Sequence, residues 1–325
     1  MKAWRVHEFG PYRDALVWED CPDPELPSPD SSVIDVHAAG VNFPDILFIQ
    51  GEYQIKPPLP FVPGIEAVGT VVEVGSQSKY KIGDRIATTG IGAFGEKMAA
   101  QDSMTFLVPP GMSAVDAAAS RSIADTSAMA IKYKAQMQPG EVLLVHGGAG
   151  GVGTSAIQVG KALGGMVIAT ATGERDIKVC FDTGADHVID WQNEDIVTRV
   201  KELTDGRGAD VIYDPVGGDA FDASTHCINF EGRLIVIGFA SGRIPEIKGH
   251  MILNKNMSVM GFFWTNYLFK RPDLVDDYQD EINRLYLEGK FPPVVSAVLP
   301  MTDLPKSLDM ITNRDAYGKI VLVNE

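Results

Sequence analysis

The stretch "GEVLLVHGGAGGVGTSAIQVGKALG", Gly140 to Gly164, constrains the fold more than any other part of the chain. Val142 to Val145 is a short apolar run of the kind that forms a buried strand, and Ala156, Ile157, Val159, Ala162 and Leu163 recur at helical spacing. The glycines between them therefore occupy a strand-to-helix turn. Within it, Gly148, Gly150 and Gly153 satisfy G-x-G-x-x-G in the setting that motif requires. Glycine there permits a tight turn and lets backbone N–H groups approach a pyrophosphate, whose charge the helix N-terminus stabilises. Glycine also serves plain turns and close helix packing, so the flanking strand and helix carry the dinucleotide reading.

Further apolar runs follow at Met166–Ala171, His187–Asp190, Val211–Asp214, Leu234–Gly238 and Ser258–Phe263, with helical stretches between most of them. With Val142–Val145 they make six strands, the number of the doubly wound α/β dinucleotide fold, a parallel sheet covered on both faces. At 325 residues the chain is long for one core, so two domains are expected, with residues 123–261 as the dinucleotide-binding one. Residues 1–122 read differently. Short strands such as Ser32–Ala38 and Ala67–Val74 alternate with turns such as "DPELPSPD" and "KPPLPFVPG", which indicates a mainly β domain. The tail, with a helix at Leu274–Leu287 and strands at Val294–Leu299 and Lys319–Val323, is expected to return to that domain, giving it residues 1–122 and 262–325 and closing a cleft.

The formal net charge of −15, without a lysine or arginine cluster, excludes nucleic acid and anionic membrane as expected partners. No signal peptide is evident at "MKAWRVHEFG", and no apolar run approaches the ~20 residues of a membrane helix. A soluble, cytoplasmic protein is expected. Cys21, Cys180 and Cys227 are odd in number and far apart, which fits reduced thiols. His7, His37, His146, His187, His226 and His250 show no ligand spacing and read as surface or structural residues.

Over essentially its whole length the sequence resembles the zinc-free quinone oxidoreductases, the zeta-crystallin-like branch of the medium-chain dehydrogenase/reductases. The resemblance rests on Gly140, Glu141, Leu144, Gly148, Ala149, Gly150, Gly151, Gly153, Gln158 and Lys161 at the family's spacing, with "GVNFPDILFIQGEY", "PFVPGIEAVGTVVEVG" and "GFFW" in support. It implies a Rossmann domain beside a GroES-like catalytic domain. Zinc-dependent relatives read Gly-His-Glu where this chain has Gly64, Ile65 and Glu66, and their nearby cysteine is absent from "GVNFPD". Isoleucine cannot bind zinc, so no metal is expected. Without a Lewis acid, hydride delivery to an electron-poor quinone or enone is the favoured chemistry.

The resemblance places Asn42, Asp45 and Tyr53 along the cleft near a nicotinamide. Asn42 and Tyr53 can donate hydrogen bonds to an oxygen that gains charge as hydride arrives. The alternatives are that Asn42 orders a loop, that Asp45 caps the helix beginning at "PDILF", and that Tyr53 packs in a turn. Cofactor contacts are expected from Gly148, Ala149, Gly150, Gly151, Val152 and Gly153, from Thr126 at the ribose, and from Phe239, Phe263 and Trp264. The aromatics of Phe262–Trp264 serve equally as a cleft wall or as core.

NAD enzymes usually place an acid about 20 residues beyond the glycines to bind the ribose 2′-OH. Here the second strand ends in Thr170, Ala171 and Thr172, which admits a 2′-phosphate. Thr172 donates to it in this reading, and Arg175 or Lys178 pairs with its charge. Asp176 stands where the family commonly has lysine, and Trp191 where it often has tyrosine. NADP(H) is expected, with NAD(H) the alternative that Glu174 would serve. The first functional expectation is an NADPH-dependent quinone reductase acting on a small-molecule quinone or enone, and the resemblance implies a homodimer through the sheet edge near Ser258–Gly261. The rival enzyme is an enoyl or alkenal reductase, and the rival of another class a cofactor-binding redox sensor or structural protein.

Overall fold

The structure, a computed structural model, describes residues 1–324. The described residues divide into two compact units, residues 1–122 with 283–324 and residues 123–282.

In the first unit the strands are β1 (Lys2–Val6), β2 (Leu16–Asp20), β3 (Ser31–Val41), β4 (Glu66–Val74), β5 (Arg85–Thr89), β6 (Lys97–Gln101) and β7 (Thr105–Leu107). The second unit holds β8 (Val142–Val145), β9 (Met166–Ala171), β10 (His187–Asp190), β11 (Ala209–Asp214), β12 (Ile228–Val236) and β13 (Ser258–Gly261). The tail adds β14 (Val295–Pro300) and β15 (Lys319–Val323).

The second unit's six strands run parallel in the order β10-β9-β8-β11-β12-β13. The chain starts in the middle at β8, builds outward through β9 and β10, then crosses to build outward through β11. That reversal makes the C-terminal ends of β8 and β11 the switch point where open α/β sheets bind ligands. The sheet is buried on both faces, which is why its strands read as apolar runs rather than alternating ones. One rung crosses it through Ile168, Leu144, Ile212 and Leu234, all fully buried, each contributing roughly 1.5–3 kcal/mol of burial. Strand β12 begins at Ile228, earlier than the apolar run at Leu234 announced, because a bulge between Ala209 and Val211 carries its pairing with β11 back to Ala209–Ile228.

The first unit holds a seven-stranded sheet, ordered β14-β15-β3-β4-β5-β7 with β6 also on β3, over a core that includes Ile34, Ile49, Ile86, Phe94 and Leu322. β15 pairs antiparallel with β3, so the end of the chain rejoins the sheet built by its beginning. The second unit runs on to Ile282, beyond the boundary at residue 261 drawn from the strand count. Side chains explain the extension. The Tyr267 ring stacks on Phe262 at 5.0 Å and meets Tyr133 edge-on at 6.1 Å, and Lys132 pairs with Glu281 at 2.7 Å. Among the described residues no helix is long and apolar enough to cross a membrane.

Candidate functional site

The glycine loop has the expected form. The helix Gly151–Ala162 starts from Gly150 with no side chain capping it, so the first-turn N–H groups of Gly151, Val152 and Gly153 meet no protein side-chain acceptor and suit an anion. Two of the three motif glycines are required by packing. A Cβ on Gly148 would lie 2.8 Å from both the Ala169 methyl and the Cys180 sulfur, and one on Gly153 would run into the Gly147 carbonyl oxygen. Beside this turn, the Ser127 hydroxyl donates to the Val152 carbonyl at 3.1 Å and lies 3.1 Å from the Tyr213 hydroxyl, which brings Thr126's helix against the loop. Ser127 and Tyr213 carry no sequence signal of this kind. They are an ordinary helix serine and a strand aromatic until the fold joins them.

His146 is structural, as its lack of ligand spacing suggested. It is fully buried, with Nε2 2.8 Å from the Ser224 hydroxyl and Nδ1 3.2 Å from that of Thr170. Ser224 gives its own proton to the Ala220 carbonyl, so His146 donates from Nε2. Burial holds the ring's pKa below its ordinary value against the pull of Asp214, consistent with a neutral imidazole.

At the end of β9 the charges are arranged differently from the simple expectation. Arg175 does not stand open. Its Nε binds Asp176 Oδ1 at 2.8 Å, so the carboxylate that departs from the family pattern restrains the cation next to it. Lys178 is paired one turn on with Asp182 at 2.5 Å, and both are exposed. The Thr172 hydroxyl bonds Asp190, which holds that carboxyl below its ordinary range together with Asn193, the larger influence. The Trp191 side chain is exposed, and the residue's backbone N–H donates to the Ala171 carbonyl at 3.2 Å. Phe239 and Phe263 are exposed as well, and Trp264 is buried.

In the first unit, Asn42, Asp45 and Tyr53 gather around the helix Phe43–Gln50. Asn42 is its N-cap residue, and the Asp45 carboxylate accepts the Asn42 N–H at 2.7 Å. At the other end, the Leu47 carbonyl accepts from Glu52 at 2.8 Å and Tyr53 at 3.2 Å, and the Tyr53 ring packs 4.3 Å from that of Phe48. Asp45 is wholly buried, and burial raises its pKa to about 8, against the pull of the Asn42 N–H, Lys319 and the Ile65 N–H and with a push from Glu66. The Tyr53 phenol is raised by burial and by Asp45.

Two charged residues that the sequence did not single out as functional complete this cluster. Lys319 Nζ lies 2.5 Å from Glu66 Oε1 and 2.6 Å from Asn42 Oδ1, with both charged side chains almost fully buried. Asn42 Nδ2 donates to Glu66 Oε1 at 2.8 Å and to the Gly40 carbonyl at 3.3 Å. The amide of Asn42 is thus fully engaged. Burial would raise Glu66, but Lys319 and the bonds from Asn42 and Ser122 outweigh it and hold the carboxyl below its ordinary value. Gly40 is necessary here because a Cβ would collide with Glu66 Oε1. The signal was present: Glu66 opens "EAVGTVV" and Lys319 opens "KIVLV", and charges heading buried strands need partners.

A parallel sheet in this strand order, a glycine turn at its switch point and a β-rich unit carrying a buried polar cluster define a dinucleotide-linked dehydrogenase/reductase architecture. Comparison with known proteins agrees. Residues 28–110 match the alcohol dehydrogenase GroES-like domain, and residues 151–285 match the zinc-binding dehydrogenase family. The quinone oxidoreductase-like protein 2 homolog of Nematostella vectensis is 36% identical over 295 residues, which is 89% of this chain and 80% of that protein. The Escherichia coli quinone oxidoreductase structure complexed with NADPH superposes with a TM-score of 0.92 at 27% identity, covering 99% of this chain and 100% of that one. A 2-haloacrylate reductase structure gives 0.88 at 25% identity, covering 100% of both chains. The chain belongs to the quinone oxidoreductases of the medium-chain dehydrogenase/reductase superfamily.

Proposed function

We propose that this protein is an NADPH-dependent reductase of quinones that works without zinc. The observation that carries this reading is the uncapped helix start after β8, joined to a β9 end that presents threonines in place of the acid that reads a ribose 2′-OH. The residues present fit the cofactor. First-turn N–H groups at Gly151–Gly153 suit the pyrophosphate, and Thr172 with Arg175 suits the 2′-phosphate once it displaces the Asp190 and Asp176 carboxylates that hold them. When bound, the cofactor supplies a hydride. The protein's part is to hold it, to exclude water and to offer a hydrogen bond to the acceptor oxygen as that oxygen gains charge. Tyr53 is the residue for this task, because among the described residues its hydroxyl has no hydrogen-bond partner, whereas both amide hydrogens of Asn42 are committed. Asp45 and Asn42 then shape the site rather than touch the acceptor.

Likeness to 2-haloacrylate reductase favours a second reading, reduction of an activated carbon–carbon double bond on the same scaffold. NADPH oxidation followed with 1,4-benzoquinone, 1,4-naphthoquinone and small enones separates the two. Quinone reduction with kcat/KM at least tenfold above every enone supports the first, the inverse ranking the second, and no turnover with any acceptor contradicts both. The free thiols of Cys21, Cys180 and Cys227 support a cytoplasmic setting, and the edge strand β13 supports a homodimer.

A further inference from the structure

Lys319 and Glu66 form a buried ion pair across one sheet, on the two strands that flank β3: Ile320 pairs with Val41, and Ala39 with Ala67, which sets Lys319 at the start of β15 and Glu66 at the start of β4 on either side of Gly40–Asn42, where β3 ends. A buried ion pair contributes little net stability, so its presence calls for another explanation. The hydrogen bonds supply one. Lys319 holds the oxygen of the Asn42 amide, Glu66 holds its nitrogen, and Asn42 is the N-cap of a helix eight residues long. The far end of that helix fixes Tyr53 twice, through the Leu47 carbonyl and through the Phe48 ring.

We propose that Lys319 is a positioning residue for the reaction, acting with Glu66 through Asn42 and the helix Phe43–Gln50 to set the place of the Tyr53 hydroxyl. Orientation of a donor is worth large factors in rate, and a small misplacement forfeits much of it. Lys319 does this from beneath the surface, almost fully buried. This inference rests on the proposed reductase reading.

Lys319→Met alone strands a buried carboxylate and endangers folding, so the informative variant is the charge-balanced pair Lys319→Met/Glu66→Gln, with Lys319→Arg as the conservative replacement. Relative to wild type, the pair should lower kcat for quinone reduction at least tenfold while the dissociation constant for NADPH, measured by calorimetry, stays within about twofold. Lys319→Arg should recover part of the loss. Tyr53→Phe should lower kcat comparably, and adding it to the pair should cost less than twofold more, because both changes remove the same hydrogen bond. Losses that multiply, or a pair that turns over at the wild-type rate, overturn the proposal. A readout that needs no acceptor keeps it separate from the reductase reading: the Asn42 side-chain amide hydrogens, followed by NMR exchange, should exchange at least tenfold faster in the folded pair than in wild type. Unchanged exchange overturns the proposal even if the wild-type enzyme reduces quinones. Faster exchange supports the amide lock even if no acceptor is reduced.

Discussion

The Arg175–Asp176 contact yields a quantitative expectation about cofactor choice. Asp176→Asn removes a carboxylate and the ion pair it makes with the Arg175 guanidinium at 2.8 Å, with the Arg175 side chain 47% exposed and that of Asp176 23% exposed. Breaking so exposed a pair costs little stability, on the order of 0.2–1 kcal/mol. The effect on a nearby 2′-phosphate is larger because a repelling unit of negative charge disappears beside it. At about 6 Å and an effective dielectric of roughly 80 to 40, one unit of charge interacts by about 0.7–1.4 kcal/mol, so the ratio of kcat/KM for NADPH over NADH should rise by roughly three- to tenfold. Arg175→Ala should lower the same ratio by a similar factor, with NADH turnover little changed. The assay is the kcat/KM ratio at fixed low salt, repeated near 0.5 M salt, where screening should shrink both effects. If both variants leave the ratio within twofold of wild type, neither side chain reads the ribose, and placing the 2′-phosphate at the end of β9 is wrong.

Gly153→Val drives a side chain into the Gly147 carbonyl, so the loop must deform; calorimetry should show NADPH binding lost, and thermal unfolding should move down by several degrees. Asp45→Asn keeps an acceptor for the Asn42 N–H but removes a proton-binding group raised to about 8. Between roughly pH 4, the unfolded carboxyl's range, and that value, the native state binds the extra proton, so Asp45 makes wild-type stability fall as pH rises. The Tm of the variant minus that of wild type should therefore grow from pH 5 to pH 8, and a flat difference would show that Asp45 titrates normally. Purified protein should hold no stoichiometric zinc, and chelator should leave turnover unchanged, because Ile65 stands at the ligand position; one tightly held, activity-supporting zinc per chain would contradict this.

The parallel sheet was legible because its signal is local: short apolar runs bounded by turns, with helical periodicity between them. Its strands fell within a few residues of expectation, and the early start of β12 escaped because "INFEGR" is polar and only the bulged pairing with β11 makes it a strand. The glycine turn was equally plain. The cluster around Asn42 was half legible. Asn42, Asp45 and Tyr53 lie within one short stretch, but the residue that holds Asn42 in place is 277 positions away, and its carboxylate partner is 253 positions from that lysine. Such a contact exists only once β15 has returned to β3. Arg175 and Asp176 illustrate another limit. Adjacent residues reveal their charges in the sequence but not whether they bind each other or turn apart.

Hydride transfer from NADPH to a conjugated acceptor is most directly tested with NADPH deuterated at nicotinamide C4. Single-turnover reduction of 1,4-naphthoquinone should consume one NADPH per hydroquinone formed and show a primary isotope effect, with the deuterated cofactor at least twofold slower for one of its two C4 stereoisomers. Identical rates for both labelled cofactors, or release of two semiquinones per NADPH with no isotope effect, would contradict a hydride-transferring reductase.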